Sequence, residues 1–72
     1  MSHVLAAEMV ASVHSVQVRV GDTVAPDTMV VLLESMKMEI PVLAEVDGVV
    51  REVPVAPGDS IQEGDVIAVI EE

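Results

Sequence analysis

The chain is predicted to be all-β, a flattened β-barrel or sandwich of two small antiparallel sheets related by a pseudo-twofold axis. Three observations lead there. Valine and isoleucine dominate the apolar residues and alternate with polar ones, as in Val16-Gln17-Val18-Arg19-Val20, and branched residues at period two read as strands with one buried face. Turn signals recur only a few residues apart, too closely for helices. Finally, an offset of 37 lays Leu5–Glu34 over Val42–Glu71 without a gap. Ala7, Glu8, Val13, Val16, Val18, Gly21, Asp22 and Glu34 meet identical residues, where roughly three matches are expected by chance in so valine-rich a chain.

In chain order, the strand through Val16–Val20 stops at Gly21-Asp22, and Pro26-Asp27-Thr28 turns the chain into a strand over Met29–Leu33. A hairpin at 35–38 follows, and the next strand runs through Ile40. Asp47-Gly48, Ala56-Pro57-Gly58-Asp59 and Glu63-Gly64-Asp65 punctuate the second half, which ends in the strand Val66–Ile70. The aspartates of these turns can accept hydrogen bonds from backbone amides, a structural reason for Asp22, Asp27, Asp59 and Asp65. Two copies are too few for a solenoid, and each alone leaves an apolar face wet, so units 5–34 and 42–71 should close on each other as one domain over residues 1–72. Rotation of one unit onto the other carries the segment after Glu34 onto the C-terminus. Lys37 and the chain ends are therefore expected at opposite extremities.

Composition narrows the function. Seventy-two residues bury only ~60% of their unfolded surface, enough for one modest core, and with no cysteine there is no disulfide or zinc-thiolate site. Thirteen acids against three bases, a net charge of −10 and no aromatic residue oppose nucleic acid and anionic membranes as partners. Neither a membrane-spanning apolar run nor a signal peptide is visible, so a soluble, cytoplasmic protein is expected. His3 and His14 have no neighbours at metal-ligand spacing, and no phosphate loop or nucleophile elbow appears. No metal site and no catalytic residue are expected.

One segment carries chemistry. Arg19 and Arg51 are the other bases, so Lys37 is the only lysine, and it lies in Glu34-Ser35-Met36-Lys37-Met38-Glu39 between two strands. Turn positions ordinarily carry Gly, Asn, Asp or Ser, whereas methionine is flexible and suits surfaces gripped by partners. Singly, a turn lysine is merely solvated and a turn methionine partly packed. A unique lysine between paired methionines, at a repeat junction, points to presentation of the amine.

Met36-Lys37-Met38 preceded by Glu34 resembles the attachment signature of biotin carboxyl carrier domains, commonly Glu-Ala-Met-Lys-Met, and the duplicated half-barrel resembles the biotinyl/lipoyl fold, a barrel-sandwich hybrid. The resemblance runs from about Leu5 to Ile70 and is greatest to small free-standing biotinylated proteins of actinobacterial type. It implies biotin attached covalently to Lys37, with Glu34, Ser35, Met36 and Met38 read by a biotin protein ligase. The lysine amine would displace AMP from the acyl-adenylate, forming the amide and losing a proton. It further implies a non-catalytic carrier that moves carboxyl groups between biotin carboxylase and carboxyltransferase of an acyl-CoA or related carboxylase, tethering serving as effective concentration.

Ser35 replaces the usual alanine, Ala11 takes the place of Gly48, and Asp27 that of Gly64, so some turns are expected to differ between halves if those glycines have positive φ. The gapless offset excludes the extra protruding loop of some carriers. Two other readings compete: a lipoyl carrier for a 2-oxoacid dehydrogenase, in which Asp-Lys-Ala is usual at the hairpin, and an unmodified acidic module that docks a basic partner.

Overall fold

A computed structural model describes residues 1–72, and alternation of side chains becomes eight antiparallel strands without a helix. They are β1 (Ser2–Ala6), β2 (Ala11–Val16), β3 (Thr23–Val24), β4 (Met29–Ser35), β5 (Met38–Leu43), β6 (Gly48–Glu52), β7 (Ser60–Ile61) and β8 (Val66–Glu71). One sheet has the order β1-β8-β6-β3 and the other β5-β4-β2-β7. The fold is thus the expected pair of antiparallel sheets, and no helix is present that is long and apolar enough to cross a membrane.

The 37-residue offset is carried by individual hydrogen bonds. It takes β1 into β5, β2 into β6, β3 into β7 and β4 into β8, which turns the order of the first sheet into that of the second. Each half therefore supplies two strands to each sheet, and neither half closes a core without the other. Gly21 N–H donates to Val50 O and Gly58 N–H to Val13 O, both at 2.8 Å; Val50 N–H donates to Asp22 O and Val13 N–H to Asp59 O, again at 2.8 Å. The turn aspartates follow the same rule, since Arg19 N–H donates to Asp22 Oδ2 and Ala56 N–H to Asp59 Oδ2, each at 2.9 Å. Gln62 N–H donates to Asp65 Oδ2, and at the matching place Ala25 N–H donates to Thr28 Oγ1. Thr28, not Asp27, performs that turn's capping.

The core lies between the sheets and contains no buried polar side chain. Its residues come in matched pairs, among them Val13 with Val50, Val24 with Ile61, Val30 with Ile67 and Leu33 with Ile70. Central strand β8 is buried along Ile67-Ala68-Val69-Ile70, which is why that segment reads as a continuous apolar run.

Two expected differences between the halves have different causes. Gly64 has φ +92° whereas Asp27 is not in the left-handed region, so those turns do differ in shape. Gly48 lacks positive φ. A Cβ there would run into the Glu71 carbonyl oxygen and lie 2.8 Å from Ile70 Cγ2, so the glycine permits close strand packing.

The molecule measures 32 × 18 × 17 Å. At one end Ser2 pairs with Glu71 and Glu72 N–H donates to Met1 O, bringing the termini together. From there β1 leads into the β1–β2 loop, where the Val10 carbonyl accepts a hydrogen bond from Ser35 in the β4–β5 hairpin at the other end.

Candidate functional site

Ser35 pairs with Met38, so the hairpin loop is Met36-Lys37 alone, and β4 and β5 reach further toward the tip than the strand over Met29–Leu33 anticipated. Both loop residues have left-handed backbone, φ +53° at Met36 and +65° at Lys37. A two-residue connection with both φ values positive matches the strand twist and ordinarily carries Asn-Gly or Asp-Gly. Left-handed backbone costs roughly 1–2 kcal/mol at a residue with a side chain. Local stability therefore gives no reason for Met-Lys at this turn.

The side chains face outward. Met36 is 92% and Met38 62% exposed, and Lys37 is exposed and makes neither an ion pair nor a side-chain hydrogen bond. Carboxylates are close in sequence, but they are engaged elsewhere. Glu34 and Glu39 oppose each other across β4 and β5, where like charges repel. His14 stands against both, with Nδ1 3.9 Å from Glu34 Oε2 and Nε2 3.9 Å from Glu39 Oε2. Ser35 is half-buried and donates to Val10 O at 3.3 Å, fastening the hairpin to the loop between β1 and β2.

Glu34, Ser35, Met36, Lys37 and Met38 thus share one end of the molecule. Sequence reasoning passed over two of their neighbours. His14 is the extra residue of a β-bulge between Val13 and Ser15, and bulges re-aim side chains. Its counterpart at the offset of 37 is Arg51, the extra residue of the matching bulge in β6, which approaches Glu71. Val10, 70% exposed, lies over Asp47 in the same alignment. A groove of about 460 Å³ also follows the seam between edge strands β1 and β5, its floor including Leu5, Leu33, Val42 and Ile67. Near the termini His3 Nε2 and Glu45 Oε1 close this seam at 3.2 Å. At the hairpin end the corresponding residues are Ile40 and Glu8, which cannot form the same bond.

A free, solvated amine at the apex of a projecting turn suits covalent attachment of an acyl group, since an acceptor amine must be unpaired and able to reach the activated carbonyl. The family model for biotin-requiring enzymes, of the biotin–lipoyl type, matches residues 3–70. The chain belongs to this biotin–lipoyl family. Within it, the chain is 57% identical over 70 residues to the biotinylated protein TB7.3 homolog of Mycobacterium leprae, covering 97% of this chain and 99% of that relative. The crystal structure of Kluyveromyces lactis urea carboxylase superposes with a TM-score of 0.91 at 31% identity, over 99% of this chain but only 6% of that enzyme. The lipoyl domain of the 2-oxoglutarate dehydrogenase complex from Azotobacter vinelandii superposes with a TM-score of 0.76 at 30% identity, covering 88% of this chain and 80% of the domain. The fold is shared by biotinyl and lipoyl domains alike, and the relatives on the biotin side include both a small biotinylated protein and a segment of a carboxylase.

Proposed function

We propose that the protein is a biotin carboxyl carrier, one attachment domain over residues 1–72, modified by a biotin protein ligase at Lys37. The observation that carries this reading is the sole lysine, unpaired and exposed at the apex of a two-residue turn whose sequence local stability does not favour. Biotin supplies a ureido ring able to carry a carboxyl group. The chain's own contribution is mechanical: β4 and β5 hold the lysine at an extremity, and no side chain competes for its amine. Glu34, Ser35, Met36 and Met38 form the surface a ligase would read around it.

The chain brings no general acid or base to carboxyl transfer in this scheme. Biotin carboxylase and carboxyltransferase subunits of an acyl-CoA or related carboxylase would act on the tethered ring in turn, and tethering raises its concentration at both sites. Activation of biotin by a ligase uses ATP, which supports a cytoplasmic location. The exposed methionines on both sides of Lys37 favour biotin over a lipoyl group, for which Asp-Lys-Ala is usual.

Intact mass of the protein from its native host tests the reading. A biotin-sized increment that maps to Lys37 and disappears in Lys37→Arg, with an unchanged melting temperature, is expected. A lipoyl-sized increment would replace biotin by the second carrier chemistry. An unmodified chain in cells with active ligases would leave only the acidic docking module.

A further inference from the structure

The duplication supplies an internal comparison for exposed residues. Positions 37 apart occupy equivalent places in the repeat, although the two loops differ in backbone, Glu45 having φ +70° where Glu8 is not in the left-handed region, and a side chain that the repeat alone requires should have a similar partner at the opposite end. At the hairpin end, Val10 does not. It is 70% exposed, and the equivalent residue near the termini is Asp47, a usual choice for an exposed loop. Met9 beside it is also exposed, at 40%, where the other half has the smaller, half-buried Val46. Val10 keeps its side chain outside the buried core. Its contribution to the hairpin is its carbonyl, which accepts from Ser35, and any residue supplies a carbonyl.

We propose that the loop Glu8-Met9-Val10 is a second recognition element for the ligase that acylates Lys37, and that Val10 is its apolar anchor. This rests on the reading of Lys37 as the attachment site. An enzyme that reaches the Lys37 amine must cover this end face, and Ser35 ties Val10 to a position two residues from that lysine. Met36, Met38 and Val10 are exposed apolar side chains at this end, and Glu8, Glu34 and Glu39 are exposed carboxylates in the same two segments. The complementary ligase surface is an apolar shelf bordered by basic side chains. The anchor lies far from Lys37 in sequence, so a linear peptide copied from the hairpin does not contain it.

The experiment compares four unmodified proteins as substrates of the host's biotin protein ligase with biotin and ATP: the parent, Val10→Asp, Asp47→Val and Val10→Thr. Val10→Asp installs the residue that the other half already carries, and the reciprocal change serves as control. Val10→Asp is expected to raise KM for the protein about tenfold, the loss of a buried valine contact, with kcat within about twofold of the parent. Asp47→Val should match the parent. Val10→Thr, nearly isosteric, should raise KM by a smaller factor, and it decides the matter if Val10→Asp fails to fold. Unchanged KM in both Val10 variants, equal loss in Asp47→Val, or a fall confined to kcat would overturn the second element. A parent that is not labelled under the same conditions overturns the assignment of Lys37 and this proposal with it.

Discussion

The two ends of the molecule are built on equivalent strands and differ in chemistry. At the terminal end, His3 reaches Glu45 across the seam, Arg51 lies 3.9 Å from Glu71, and Ser2 donates to Glu71. At the hairpin end the equivalent places hold Ile40 with Glu8, and His14, Glu34 and Glu39, with Glu39 standing where the other end has Ser2. One end sets a serine and an arginine against its carboxylate, while the other sets two glutamates across a strand pair with His14 between them and exposes Met36, Met38 and Val10 beside the lysine-bearing turn. The duplicated architecture permits both. Such differences therefore separate what folding needs from what presentation of Lys37 needs.

The largest expected effect tests the close approach peculiar to one half. Gly48→Ala forces a methyl group into the Glu71 carbonyl, which is backbone and cannot move aside without displacing β8, so a loss of about 1–3 kcal/mol is expected. Ala11→Gly, the reverse exchange at the matching place, removes only a small buried side chain and should cost about 0.5–1 kcal/mol. Urea denaturation of both variants measures the difference. Equal losses would mean that the two sheets are equally tight there and that the contrast is false.

A smaller effect, of opposite sign, is expected at the tip. Met36→Asn places a residue that tolerates left-handed backbone where φ is +53°, and should stabilise the fold by about 0.5–1 kcal/mol while slowing attachment at Lys37. The urea midpoint and the biotinylation rate, read on the same preparation, check both halves of the claim. Stabilisation without slower attachment would show that Met36 is not kept for recognition.

How much of this was legible in the sequence depended on whether a signal repeats. Strand faces and the Gly-Asp turns follow from local side-chain chemistry, and their recurrence makes the 37-residue offset visible. Lys37 stood out because it is unique and flanked by residues that turns avoid. The role of Gly48 was misjudged, because positive φ and close packing both select glycine and only the latter operates there. His14 was passed over as an ordinary histidine since a bulge, which depends on pairing across strands, aims it at Glu34 and Glu39. Val10 lay beyond reach for a similar reason: its exposure depends on where the loop after β1 meets Ser35. The exchange of strands between halves was equally hidden, because either half could have kept its own sheet without altering the alternation pattern.

The smallest effect concerns the terminal end, where a titratable group reports its own contacts. The Ser2 hydroxyl donates to Glu71 Oε2 at 2.8 Å and is the main cause that holds the Glu71 carboxyl below its ordinary value; the N-terminal ammonium and Arg51 act in the same direction, against a contribution from desolvation. A carboxyl whose pKa is lower in the folded state adds stability above its unfolded pKa and loses that contribution as pH falls through the folded value. Ser2→Ala should therefore raise the Glu71 pKa toward the ordinary carboxylate range. Any stability difference from the parent that arises from this bond should be full at neutral pH and fade in acid. Because the site is exposed the difference is small, and an NMR titration of the Glu71 side-chain carboxyl is the sensitive measurement. A curve unchanged by Ser2→Ala would leave the ammonium and Arg51 as the source of the shift, and with them a terminal end held by charge alone.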